Sequence, residues 1–233
     1  MPKQPPEHYP LQLQTSWQAN AQAWTDAVRG QRIASRRLAT DAAIVQAIGE
    51  VQPQRALDIG CGEGWLCRAM SQQGIEAVGI DGSPALIEAA RRADPNTGRY
   101  QQCSYAELAA GMPELGRFDL LVANFALLEE QLAPLLRALQ GLTAKQGKLL
   151  IQTLHPKAAM PAWGYSDGWQ IETFASLAGG FVQPMPWYYR TTESWLQLLA
   201  GSGWQLHWLR QPQVAGSEHP ASLLLLLESA GGK

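Results

Sequence analysis

The chain has 233 residues, of which 46% are hydrophobic and 16% are charged, with a formal net charge of -2. This length and composition support a buried core in one domain, and the low share of charged residues is compatible with a homodimer contact. No basic surplus is present to neutralise phosphates, so a nucleic-acid partner is not expected.

Apolar periodicity predicts the elements of the first two thirds of the chain. An irregular arm is expected up to about Leu13, followed by helices over 16–29 and 40–48. Strands and helices then alternate, with strands over 55–59, 76–80, 99–102, 118–123 and 147–154, and helices over 64–73, 83–92 and 130–142. This alternation is typical of a parallel sheet with right-handed crossovers.

The alternation breaks after the fifth strand. Residues 155–190 are rich in Trp, Pro, Gly and Tyr and have no clean period. A helix over 192–200 and strands over 204–209 and 221–228 complete the pattern. Because the link between these two strands is too short for a crossover helix, the last strand is predicted to run antiparallel.

The stretch RALDIGCGEGWL, residues 55–66, places Gly60, Gly62 and Gly64 directly after the first strand. Glycines there let a ligand approach the main chain, and the next helix offers free N–H groups at its start. Asp81 ends the second strand, 21 residues after Gly60. A carboxylate at that position holds ribose hydroxyls, so a nucleoside-bearing ligand is predicted at this edge of the sheet.

The charges of the loop favour one type of nucleoside. A dinucleotide fingerprint reads G-x-G-x-x-G, whereas this loop reads G-C-G-E-G and contains Glu63. Glu63 would repel a pyrophosphate, and Asp58 adds a second acid just before the loop. Both suit a ligand with a cationic end, such as S-adenosylmethionine, and disfavour a nicotinamide dehydrogenase.

The motifs LDIGCGEGWL…GIEAVGIDGSPALIEAAR, FDLLVANFALL and AKQGKLLIQTLHP resemble those of class I S-adenosylmethionine-dependent methyltransferases. The resemblance covers roughly residues 40–155. It implies a Rossmann-like α/β sheet, mostly parallel with the last strand antiparallel. It also implies an N-terminal arm with helices over 1–52 and a methyltransferase domain over 53–233, in which residues 155–190 cap the substrate.

The resemblance also implies a set of residues that bind S-adenosylmethionine and its product S-adenosylhomocysteine. The glycine loop with Cys61, preceded by Asp58, would take the amino-acid end, and Asp81 would hold the ribose. The remaining candidates are Gly82 and Ser83 beside the ribose, Ser104 or Tyr105 at the adenine, Asn124 and Phe125 at the methionine, and Arg36 at its carboxylate. Arg36 is equally open to being a solvated helix arginine.

Four residues are candidates for the chemistry. His155 and His219 are delivered to the cofactor edge by the predicted topology, although each is open to being a loop histidine bonded to its neighbours. Tyr188 and Arg190 lie in the insertion, where Arg190 is open to clamping an acidic substrate group or pairing with a nearby acid. The aromatic residues of the insertion are expected to form a lid, a small core or both, and comprise Trp163, Tyr165, Trp169, Phe174, Phe181, Trp187, Tyr188 and Tyr189.

The sequence therefore predicts an enzyme that methylates a small aromatic or hydrophobic molecule, with oxygen as the preferred acceptor atom. A methyltransferase of protein or tRNA and a non-catalytic binder of S-adenosylmethionine remain alternatives. The polar, proline-rich start is unlike a secretory signal, and the longest leucine run, Leu223–Leu227, is too short to cross a membrane. The three cysteines cannot all pair, which favours a reduced, cytoplasmic setting. The spacing of the three cysteines predicts no metal.

Overall fold

The computed structural model describes residues 8–95, 99–158, 164–177 and 179–231. Strands alternate with helices through the middle of the chain, as the periodicity predicts. The strands are β1 (Arg55–Ile59), β2 (Glu76–Asp81), β3 (Arg99–Gln102), β4 (Phe118–Asn124), β5 (Thr143–Leu154), β6 (Gly168–Glu172), β7 (Met185–Tyr189), β8 (Trp204–Arg210) and β9 (Ser222–Ser229).

The bounds of the α-helices follow in chain order. They are α1 (Tyr9–Ala19), α2 (Ala21–Arg29), α3 (Asp41–Val51), α4 (Trp65–Gln72), α5 (Pro84–Ala93), α6 (Tyr105–Ala110), α7 (Ala133–Leu139) and α8 (Thr192–Gly201). A π-helical turn, Arg36–Thr40, precedes α3. Within the described ranges, no helix combines the length and the apolar character that crossing a bilayer requires.

Seven strands form the main sheet in the order β3-β2-β1-β4-β5-β9-β8. The first five strands are parallel, while β9 is antiparallel to both β5 and β8. This arrangement confirms the predicted fold class and the predicted reversal of the last strand. The strand order reverses between β1 and β4, and ligands of open α/β sheets bind beside such a reversal at the carboxyl ends of the strands.

Both faces of the sheet are buried under helices. On β9, Leu223, Leu225 and Leu227 pack into the core of one face, while Leu224 and Leu226 pack into the core of the other. Successive side chains of a strand point to opposite faces, so a strand covered on both sides must be apolar at every position. The leucine run of the sequence is thus an interior strand of the sheet.

The N-terminal segment differs from its prediction. The expected irregular arm up to Leu13 is wrong, because α1 begins at Tyr9 and carries Pro10 in its first turn, where a missing N–H leaves no hydrogen bond unmade. The helix predicted over 16–29 is divided in two at Asn20.

Helix α6 is absent from the sequence-based prediction. Ser104 accepts a hydrogen bond from the N–H of Glu107, and the Glu107 carboxylate accepts one from the N–H of Ser104. This reciprocal capping box has a recognisable sequence signature, Ser-x-x-Glu, so the helix start was detectable from the sequence.

The insertion after β5 folds with the N-terminal helices. Strands β6 and β7 pair into a separate antiparallel ribbon. Phe174, Trp187 and Tyr189 pack in one apolar cluster with Leu13 of α1, and Trp24 of α2 packs against that cluster. The segments predicted separately as 1–52 and 155–190 therefore share a core, which we call the roof cluster; Trp163 lies outside the described residues.

Asn20 joins the two halves of this roof. Its side chain is almost fully buried. The amide Nδ2 donates to the main-chain oxygen of Gln183 at 2.7 Å, and Oδ1 accepts from the N–H of Val182 at 2.8 Å. A side chain between two helices thus satisfies the main chain of a loop more than 160 residues away.

Replacing Asn20 with Ala removes these hydrogen bonds and takes the acceptor away from the N–H groups of Val182 and Gln183, while Ser16 still donates to the main-chain oxygen of Gln183. We expect Asn20→Ala to lower the free energy of unfolding by about 1–3 kcal/mol, the usual cost of unmade buried hydrogen bonds. Urea denaturation measures this change. Gln22→Ala removes an exposed amide from the same segment and should change stability little; an equal loss in both variants would contradict the bridging role.

Candidate functional site

A cavity of about 680 Å³ lies at the carboxyl ends of the parallel strands. Its floor comprises the glycine loop after β1 and the ends of β2, β4 and β5, with Gly60, Cys61, Gly62, Asp81, Gly82, Asn124, Phe125 and Thr153. Its roof is formed by the N-terminal helices and the insertion, with Leu13, Trp17, Trp24, Phe174, Leu177, Met185 and Trp187. The floor is thus polar main chain, and the roof is apolar and aromatic.

The glycines of the loop serve different purposes. All three have left-handed φ angles, which glycine adopts without strain. A Cβ on Gly60 would lie 2.5 Å from Cβ of Ala126, whereas a Cβ on Gly62 would meet open space. Gly64 does not line the cavity, and a Cβ there would lie 2.7 Å from the hydroxyl of Tyr100. Gly64 is therefore required for packing, while Gly60 and Gly62 form the floor.

Asp81 fixes this loop. Its Oδ2 accepts from the N–H of Gly62 at 2.9 Å, and its Oδ1 accepts from the N–H of Ser83 at 2.8 Å. Burial raises the pKa of Asp81, and the two N–H donors partly offset that effect. The carboxylate also lines the cavity, where each oxygen keeps a lone pair for a further donor.

Arg36 extends the floor on the side of α4. Its guanidinium lies over the ring of Trp65 at 4.7 Å, and Nε donates to Oδ1 of Asp41 at 2.9 Å. Nη2 is buried and has no hydrogen-bond partner among the described residues. A buried donor of a charged group without a partner is costly, and Arg36 is also one of the residues that line the cavity.

Comparison with known proteins agrees with this geometry. The family model of a methyltransferase domain matches residues 31–209. The chain belongs to this family. The assignment confirms the resemblance on which the sequence analysis relied.

An individual relative matches a shorter part of this methyltransferase than the family model does. Ubiquinone biosynthesis O-methyltransferase of Xanthomonas euvesicatoria is 35% identical over 111 residues, which are 46% of this chain and 45% of that protein. The chain thus matches less than half the length of this curated relative.

Solved structures share the fold. An S-adenosylmethionine-dependent methyltransferase from Mesorhizobium loti has a TM-score of 0.61 at 24% identity, covering 78% of this chain and 95% of its own. The DhpI–SAH complex has a TM-score of 0.65 at 14% identity, covering 95% of this chain and 98% of its own.

Most of the remaining residues that were predicted to bind the cofactor line the cavity, and one lies behind its wall. Ser104, Tyr105, Asn124 and Phe125 line the cavity together with Gly82. The hydroxyl of Tyr105 donates to the main-chain oxygen of Ala126 at 2.7 Å. Ser83 lies behind the wall, where its hydroxyl accepts from the N–H of Leu86 and caps α5.

Two acids near the loop behave differently from the prediction. Asp58 is buried behind the loop rather than in the cavity wall, and the thiol of Cys67 lies 3.6 Å from its Oδ2. Glu63 lines the cavity, but its carboxylate is held by Arg29 at 2.7 Å and by Arg68 at 2.8 Å. The expectation that Glu63 presents a free negative charge to the ligand is wrong, because two guanidinium groups neutralise it.

The two candidate histidines do not reach the cavity. His155 is buried, its Nδ1 accepts from the N–H of Lys157 at 3.1 Å, and its Nε2 lies 2.9 Å from Oε1 of Gln211. Burial lowers the pKa of His155. His219 is half-buried in the turn before β9, where its main-chain oxygen accepts from Ser217. This geometry suits the structural alternative for both histidines.

Tyr188 and Arg190 also lie outside the cavity wall. The guanidinium of Arg190 is buried over the ring of Tyr188 at 4.6 Å. Its Nη2 donates to the main-chain oxygens of Glu129 at 2.8 Å and Glu130 at 2.5 Å. Arg190 therefore holds the loop after β4 instead of facing a substrate.

Several residues of the cavity wall were not predicted from the sequence. Glu129 follows β4 by five positions and lines the cavity, as do Trp17 and Trp24 from the N-terminal helices. The signal for Glu129 was an acid just beyond the carboxyl end of a central strand. The tryptophans gave no such signal, since helical spacing alone indicates a buried face without its partner.

Burial makes the stability of this methyltransferase depend on pH through Asp58. Burial raises the pKa of Asp58 from its usual 3.8 to about 7. Between these values the Asp58 carboxyl loses its proton in the unfolded state but keeps it in the folded state. The contribution of Asp58 to stability is therefore fully present below about pH 4 and is lost as pH rises toward 7. Asp58→Asn lacks this titration.

We expect the unfolding free energy of Asp58→Asn to rise relative to wild type by up to about 4 kcal/mol from pH 4 to pH 7, at about 1.4 kcal/mol per pKa unit. Denaturant titrations of both proteins at matched pH values measure the difference. A difference that stays constant across this range would contradict the assigned burial.

Proposed function

We propose that the chain is an S-adenosylmethionine-dependent methyltransferase of a small aromatic or hydrophobic molecule, with oxygen as the acceptor atom and S-adenosylhomocysteine as a product. The observation that carries the proposal is the joint position of two groups in one cavity wall. The Asp81 carboxylate is fixed by the glycine loop. Arg36 offers a buried Nη2 with no hydrogen-bond partner among the described residues.

The residues of the floor fit this cofactor. Asp81 would accept hydrogen bonds from the ribose hydroxyls, and the open space at Gly62 would admit the ligand close to the main chain. Arg36 would donate Nη2 to the carboxylate of the methionine end. Asn124, Phe125, Ser104 and Tyr105 would complete the wall around it.

S-adenosylmethionine supplies a methyl group activated by a positively charged sulfur. The chain itself orients the acceptor and excludes water, which are the main requirements of a displacement in line. The roof serves both needs, since Trp17, Trp24 and Trp187 present flat apolar surfaces to the cavity. No proton-transfer role is needed for His155 in this scheme.

The choice of oxygen rests on the curated relative, whose name describes an O-methyltransferase. The aromatic roof supports a small flat acceptor over a protein or tRNA, and the room between floor and roof supports catalysis over simple retention of the cofactor. A ubiquinone-type phenol is one such acceptor.

Calorimetric titration with S-adenosylhomocysteine tests the cofactor assignment. We expect Arg36→Met to weaken binding by about 10- to 100-fold, the value of a hydrogen bond to a charged group. Arg37→Met is the matched control, because Arg37 is the exposed neighbour in the same turn and does not line the cavity. Equal affinity in the two variants, or binding of a nicotinamide dinucleotide instead, would reject the proposal.

A further inference from the structure

The charged groups of the cavity are unevenly distributed. Of the described side chains in its wall, Arg36 is the one cation, whereas Glu63, Asp81, Glu129 and Glu172 are acids. Two arginines neutralise Glu63 and two N–H groups hold Asp81, both at the glycine loop. Glu129 and Glu172 remain, on the segments next to the roof.

These two glutamates are not equivalent. Oε1 of Glu172 accepts from the N–H of Phe174 at 2.6 Å, which engages it within its own turn. Burial raises the pKa of Glu129, and its carboxylate has no hydrogen bond or ion pair among the described residues. A half-buried carboxylate in a cavity wall can accept a hydrogen bond from a ligand donor.

Arg190 fixes the position of Glu129. Its Nη2 holds the main-chain oxygens of Glu129 and Glu130, and its guanidinium lies between the rings of Tyr188 and Trp195. The N–H of Tyr188 donates to the main-chain oxygen of Leu128 at 2.8 Å. The loop after β4 is thus attached to β7 on both sides of the point where Glu129 enters the wall.

The aromatic side chains in the same cavity wall limit the shape of a ligand. Trp17 and Trp24 stack with ring centroids 5.1 Å apart, and Phe174 meets Trp24 edge-on at 5.5 Å. Leu128, Leu154 and Trp187 are also part of the wall. Apolar rings favour a flat aromatic ligand, while a carboxylate in the same wall repels a negative charge and accepts a hydrogen bond from a hydroxyl.

Resting on the proposed function, we propose that Glu129 selects the methyl acceptor, binding a hydroxyl of an aromatic molecule without negative charge and rejecting aromatic carboxylates. Arg190 is a positioning residue that acts through Glu129. The acceptor class is therefore a neutral phenol, in place of the acidic substrate that the sequence suggested for Arg190.

Calorimetry with catechol and 3,4-dihydroxybenzoate, which differ by one carboxylate, tests this selection with and without S-adenosylhomocysteine. We expect wild type to bind catechol at least about tenfold more tightly, equivalent to about 1.4 kcal/mol. Glu129→Gln should reduce this preference for catechol to about threefold or less, because the neutral amide no longer repels the carboxylate of 3,4-dihydroxybenzoate. Glu130→Gln, an exposed neighbour outside the wall, should keep the wild-type ratio.

Arg190→Met should lower the ratio of the affinities for catechol and 3,4-dihydroxybenzoate, as Glu129→Gln does. Arg190→Lys should retain part of this ratio. If Arg190 had only a structural role, its replacement would weaken the binding of both probes equally. Equal binding of the two probes by wild type, no binding of either, or an unchanged ratio in Glu129→Gln would overturn the proposal. Because the titrations also run without cofactor, a protein that prefers catechol but ignores S-adenosylhomocysteine would refute the proposed function alone.

Discussion

The hydrogen bond between Asp81 and the N–H of Gly62 is the contact on which the site depends. It joins the end of β2 to the loop after β1, and the loop can approach only because Gly60 and Gly62 adopt left-handed φ angles. The second oxygen of Asp81 holds the N–H of Ser83 at the start of α5. One carboxylate thus fixes the floor of the cavity before any ligand binds.

The cavity exists because two distant segments cover this floor. The helices α1 and α2 and the ribbon of β6 and β7 cannot bury their aromatic side chains alone, so they do so against each other. Asn20 satisfies the main chain at residues 182 and 183, where the segments meet. The resulting roof is apolar above a floor of main-chain polar groups, which divides the cavity into two chemically different halves.

The charged side chains of the cavity also differ between the floor and the roof. At the floor, Arg29 and Arg68 neutralise Glu63, and Arg36 retains one donor for an anion. Next to the roof, Glu129 has no ion pair with a cation among the described residues, and Arg190 holds its main-chain oxygen. Buried charges interact strongly at low dielectric, so the proposed ligand would have its anionic group at the floor and an uncharged group beside Glu129.

The sequence by itself determined the elements whose signals are local. The period of the apolar residues gave the parallel strands, the short final link gave the antiparallel β9, and the glycine spacing with Asp81 gave the floor. Only the tertiary structure decided which side chains face the cavity. Topology predicted His155 at the cofactor edge, and Arg190 was predicted to lie in the insertion that caps the substrate. Neighbours in space bind both: Gln211 holds His155, and the main-chain oxygens of Glu129 and Glu130 hold Arg190. Such partners are set by long-range packing, which no local pattern encodes.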